Sequence, residues 1–73
     1  MMQRLVSIIS NYVEIDIDNV DEDMSLRNEI GMDSFSMMAM LVDIENEYQC
    51  TIPENELNKF QTLRDLNNYL SKL

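Results

Sequence analysis

One glycine, Gly31, and one proline, Pro53, punctuate all 73 residues. With so few turn formers the backbone has few places to reverse sharply. That argues against a turn-rich β fold and for helices joined by anchored loops. The chain is also short. A domain of this size buries only about 60% of the surface its unfolded chain exposes, so the apolar residues, 45% of the sequence, must be arranged efficiently. Cys50 is the one cysteine and there is no histidine. Neither an internal disulfide nor a zinc site is therefore expected to brace the core. A lone thiol fits a reducing, cytoplasmic setting.

Apolar spacing places the helices. Leu5, Ile8, Ile9 and Tyr12 recur every three or four residues, which predicts a first helix over 3–13 with Val6 and Val13 widening its face. A second helix is expected over 34–48, entered from Gly31 and capped by Asp33 or Ser34. Thr51-Ile52-Pro53 breaks it. Pro53 suits the entry to a short third helix over 54–59. Thr62 suits the cap of a fourth over 63–72, whose face carries Leu63, Leu66, Tyr69, Leu70 and Leu73. The expectation is an all-α fold: a small four-helix bundle of three longer helices and one short one, with a long first loop, forming a single domain over 1–73.

That loop, residues 14–33, holds eight acids against Arg27 alone. Ile15, Ile17, Val20, Met24, Leu26 and Ile30 are expected to pin it to the core, because an unanchored loop of that length is uncommon in a compact domain. A calcium loop needs oxygen ligands at alternate positions, then a glycine and a distal glutamate. Frames begun at Asp16 or Asp21 place Val20, Leu26, Arg27 or Met32 at those points, so no metal site is expected. Across the chain, 14 acids face 5 bases, for a formal charge of −9. Neutralising the phosphate backbone of a nucleic acid needs clustered Lys and Arg, so this balance argues against nucleic acid as a partner. It argues against a basic membrane-surface helix too. No apolar run approaches the length of a membrane span, and no signal peptide is expected. The charge favours a monomer.

The second helix has more apolar residues than one face can use. With Ser34 as origin and about 100° per residue, Met40, Ile44, Met37, Tyr48 and Leu41 fall between about 240° and 340°, an ordinary core arc. Met38, Val42 and Phe35 form a second stripe at about 40–100°, while Asp43, Ser36 and Glu47 mark the solvated side. Glu45 lies at the stripe's edge. Either the stripe packs beneath the third helix or the loop, or it stays exposed and docks a partner. Ser34 is the one residue singled out for special chemistry. Without a histidine it has no base for a hydrolase triad, and taken alone it reads as a helix cap.

Its surroundings add a second reading. Glu29-Ile30-Gly31-Met32-Asp33-Ser34-Phe35 resembles the Asp-Leu-Gly-x-Asp-Ser-Leu attachment motif of acyl carrier proteins. Asp21, Asp23, Ser25 and Leu26 before it are similar to that family as well. So are the run Asp43-Ile44-Glu45-Asn46-Glu47-Tyr48, the Thr51-Ile52-Pro53 bend and the closing Thr62-Leu63-Arg64-Asp65-Leu66, and the likeness runs over about residues 4–72. The resemblance implies a non-catalytic carrier. A phosphopantetheinyl transferase would attach 4′-phosphopantetheine from coenzyme A to Ser34, and the arm's thiol would hold cargo as a thioester. It also implies a recognition face of Asp33, Phe35, Met38, Val42 and Glu45 for loading enzymes and for downstream synthases or transferases.

Several positions depart from the family's fatty-acid members. Ser36 and Ala39 stand where acids are usual, Phe35 replaces a leucine, and Asn28 and Glu29 differ from the common acidic pair. These departures imply a specialised acyl carrier serving a fatty-acid, polyketide or lipid pathway. The alternative is an aminoacyl (D-alanyl) or peptidyl carrier. A more remote alternative is an unmodified helical interaction domain that docks through the stripe.

Overall fold

The computed structural model describes residues 2–73. It has α1 over Met2–Ile9, α2 over Ser34–Tyr48, a 3-10 helix over Glu54–Lys59 and α3 over Leu63–Ser71. The second, third and fourth helices fall where the spacing predicts, and the described residues contain no strand. The first is shorter than its apolar pattern. After Ile9 the chain tightens, with Asn11 and Tyr12 N–H groups reaching back only three residues, to Ile8 and Ile9 carbonyls, at 3.1 and 3.0 Å. Ser10 and Asn11 explain the change. Such side chains offer the backbone local alternatives, and the Ser10 hydroxyl donates to the Ser7 carbonyl at 2.6 Å. The short third element is 3-10 throughout, a form common in brief connectors.

α1 and α2 pack antiparallel, tied at both ends. Arg4 lies over the Tyr48 ring, 4.3 Å from its centroid. It donates to the Glu47 carbonyl at 2.6 Å and pairs with the Glu47 carboxylate at 3.4 Å. A cation thereby satisfies a carbonyl at the C-terminal end of α2, the end where positive charge is favoured. Twelve residues into the chain, the Tyr12 hydroxyl donates to Asp43 on the same helix. Asp43 was expected to face solvent. It is instead half-buried against the turn that follows α1, and its acceptor bond holds the Tyr12 hydroxyl above its usual pKa, with lesser help from burial and from the Asp43 charge.

The core consists of Leu5, Ile8 and Ile9 from α1, Met37, Met40, Leu41 and Ile44 from α2, Leu63, Leu66 and Leu70 from α3, and residues from between the helices: Leu26, Ile30, Met32, Ile52 and Phe60. Phe60 meets Tyr69 edge to face at 5.3 Å. Cys50 is half-buried. Burial first, and then the Glu45 charge, raises its thiol above the ordinary range, so it has no thiolate activation.

The acidic loop is fastened twice. Its apolar residues supply one attachment. Leu26 and Ile30 are buried, and Ile15, Val20 and Met24 pack against the core. Ile17 does not: it is 58% exposed. The Asp16 carboxylate accepts the Asp18 amide and the Asn19 side chain, closing a turn that carries Ile17 outward. The second attachment is backbone. Leu26 N–H donates to Gln61, Leu63 N–H to Met24 and Arg64 N–H to Glu22, at 2.9, 3.2 and 2.8 Å. Arg64 also binds the carboxylates of Asp23 at 2.9 Å and Glu22 at 3.5 Å. The segment it joins opens α3, where Thr62 and Asp65 form a reciprocal capping box.

Leu26 is thus a loop residue with a helix residue's burial. Leu26→Ala should lower unfolding stability by about 2–5 kcal/mol, read from the denaturant midpoint. Ile17→Ala should stay within about 0.5 kcal/mol of the parent. Equal effects at the two positions would mean that the loop is not anchored as described.

Candidate functional site at the start of α2

The approach to α2 is a rigid turn. The Ser25 carbonyl accepts the Glu29 and Ile30 amides, its hydroxyl accepts the Asn28 amide, and the Glu29 carboxylate accepts the Ser25 amide. The Met32 amide then donates to the Leu26 carbonyl at 2.9 Å. Between these bonds Gly31 takes φ +93°, a region that L side chains rarely occupy. A Cβ there would meet nothing within 4 Å. The glycine is needed for the backbone path and not for room.

The turn delivers Asp33 to the cap position. Its carboxylate accepts the Ser36 amide at 2.7 Å, with extended backbone at φ −87° and ψ 178°. Of the two capping candidates, Asp33 holds the position and Ser34 becomes the first helical residue. The bonds from Ser36 keep the Asp33 carboxyl below the usual carboxylate range; burial opposes them, and the Phe35 amide and the Arg27 charge add still smaller help.

Ser34 is exposed. Its Oγ accepts one hydrogen bond, from Arg27 Nη1 at 3.2 Å. Arg27 also lines a groove of about 300 Å³ between the 25–30 turn, α2 and the 3-10 helix, whose walls include Asn28, Met37, Leu57 and Phe60. The contact between Arg27 and Ser34 is one that sequence reasoning missed. Seven residues separate the two, and only the closed turn brings them together.

Beyond Ser34 the stripe is exposed: Phe35 by 84%, Met38 by 55% and Val42 by 52%. It does not pack beneath the 3-10 helix or the loop. The opposite arc is buried through Met37, Met40, Leu41 and Ile44. Glu45, at the stripe's edge, is half-buried, and its carboxylate accepts the Ile52 amide at 2.7 Å. That bond ties the end of α2 to the bend before Pro53. Among the described residues, no helix is long and apolar enough to cross a membrane.

The depressed pKa of Asp33 fixes the sign of a pH effect. The stability it contributes is complete above the unfolded carboxylate value, about 4, and is lost as pH falls through its lower folded value. Asp23, held low first by its hydrogen bond to Arg64 and then by the Arg64 charge, acts in the same sense. Asp33→Asn keeps a capping oxygen. Thermal melts between about pH 6 and 2 should show a smaller acid loss for this variant than for the parent. Parallel curves would contradict the assignment.

The start of α2 thus presents an exposed serine beside a capping aspartate, followed by a bare apolar stripe. A family model described as a phosphopantetheine attachment site matches residues 3–70. The chain therefore belongs to the family of phosphopantetheine-bearing carrier proteins.

Proposed function

We propose that Ser34 is the residue that carries the arm, and that the chain is an acyl carrier for a specialised fatty-acid, polyketide or lipid pathway. The family's cofactor, 4′-phosphopantetheine, is attached covalently. When bound it supplies a flexible arm whose terminal thiol holds cargo as a thioester. The observation that carries the assignment is an exposed Ser34 hydroxyl relieved of capping by Asp33.

The residues around Ser34 fit a phosphodiester. The first turn of α2 offers amide dipoles that favour an anion, and Arg27 adds a full positive charge at hydrogen-bond distance. Because Oγ accepts from Arg27, its own O–H proton remains free to leave. Ser34 Oγ would form the new P–O bond as the pyrophosphate bond of coenzyme A breaks, and the nucleotide departs with the electron pair. The hydroxyl proton passes to a base of the transferase, since this chain has no histidine to receive it. Carrier proteins of this kind work with a phosphopantetheinyl transferase and with acyl-handling enzymes. For this chain we assign their docking to the stripe, with Phe35, Met38 and Val42 as the apolar centre and Asp33 and Glu45 as its acidic flank. Complementary charge on a partner would mainly speed encounter and set orientation.

One observation favours an aminoacyl cargo as a second reading. Residues 35–42 contain no acid, so α2 becomes acidic only from Asp43, unlike the pattern of fatty-acid carriers. An adenylating enzyme that charges the holo protein with an amino acid, and fails with fatty acids, would select that reading.

Incubation of the apo protein with coenzyme A and a broad-specificity transferase should raise its intact mass by one phosphopantetheinyl group, located on Ser34 by peptide mapping. Ser34→Ala should gain nothing. A wild-type chain left unmodified by a competent transferase removes the proposal. Phe35→Ala should lower kcat/KM for a loading enzyme by roughly 5–30-fold, with an unfolding free energy within about 0.5 kcal/mol of the parent. Loading at the parental rate would place docking elsewhere.

A further inference from the structure

The five bases of the chain are not used alike. Arg4 pairs with Glu47, Lys59 with Glu56, and Arg64 with Glu22 and Asp23. Arg27 sits in the most acidic stretch of the sequence, yet among the described residues it, like Lys72, enters none of these salt bridges. Its Nη1 is directed at the neutral Ser34 hydroxyl instead. Its side chain is exposed, so packing does not explain the placement.

The backbone beneath it is held firmly. Leu26, one residue before, is fully buried. Asn28, one residue after, donates its amide to Ser25 Oγ at 3.1 Å. Ile30 and Met32 close the turn on the Ser25 and Leu26 carbonyls. The guanidinium therefore stands on a fixed backbone beside the hydroxyl, and only the rotamers of its own side chain remain to be ordered when it finds an anion.

We propose that Arg27 is a positioning residue for the arm, pairing with the unesterified phosphate oxygens once a phosphodiester is formed on Ser34. The inference rests on Ser34 being the attachment residue. Those oxygens share a phosphorus with the ester oxygen that Arg27 already contacts, so a small rotation of the guanidinium reaches them. A planar fork of N–H donors suits two oxygens on one phosphorus. The pairing offsets the repulsion between the new negative charge and the Asp33 carboxylate next to it. It also fixes the root of the arm at the mouth of the groove that Arg27 lines, while the remainder stays free to move.

The test compares apo and holo forms of the full chain for the parent, Arg27→Gln and Arg27→Glu, with the arm located by peptide mapping. Melting temperatures at low ionic strength give the holo-minus-apo difference for each. That difference should fall in the order Arg, Gln, Glu, with Gln lower than the parent by about 1–5 °C. The spread should collapse in about 1 M salt. The phosphorus NMR resonance of the holo protein should move on Arg27→Gln, which a purely structural role for Arg27 would not require. The apo melts show separately that each variant folds. An arm mapped to Ser34 with equal differences in all three proteins overturns the role of Arg27 alone. An arm absent or mapped elsewhere overturns the attachment assignment beneath it.

Discussion

The carboxylate of Asp33, by taking the Ser36 amide, closes the open end of α2 and leaves the next hydroxyl with no capping duty. The whole site follows from that division of labour. Had Ser34 been the cap, its oxygen would be turned into the first turn of the helix and occupied there. With Asp33 in place it stands exposed beside a cation that itself lines a groove. The cap depends in turn on the bend at Gly31 and on Leu26 seated in the core, so the exposure of one hydroxyl at the surface is set by packing at the centre.

Charge is the second constraint. A chain with formal charge −9 folds against its own repulsion, and two of its five cations lie where they hold distant segments together. Arg4 joins the start of α1 to the end of α2. Arg64 fastens the acidic loop to the start of α3. Each pair is exposed and contributes modestly alone. Their value lies in location, since each links elements far apart in sequence that the hydrophobic core alone would orient less sharply.

Much of this was legible in the residues because it is local. Gly31 and the bend before Pro53 bound α2 from sequence alone, with the cap left between Asp33 and Ser34, and the helical angles separated the core arc of Met37, Met40, Leu41 and Ile44 from the second stripe without deciding whether that stripe is covered. The end of α1 was less legible because Leu5 to Val13 keep an apolar rhythm that Ser10 and Asn11 quietly interrupt. Ile17 and Asp43 read wrongly for a common reason. Whether a residue faces inward depends on what arrives opposite it: for Asp43 the Tyr12 hydroxyl from the turn after α1, for Ile17 too little to cover it. Glu45 shares that difficulty, since its partner is a backbone amide seven residues away. The nearness of Arg27 to Ser34 could be found only after the 25–30 turn had closed.

Gly31 carries one more implication. Its φ of +93° and the open space where a Cβ would stand impose a demand on handedness and none on volume. For a mirror-image residue such as D-alanine a positive φ is the ordinary range, whereas its natural enantiomer would have to drag the backbone with it. The direction in which the chain enters α2 is thus written in stereochemistry at a single achiral carbon.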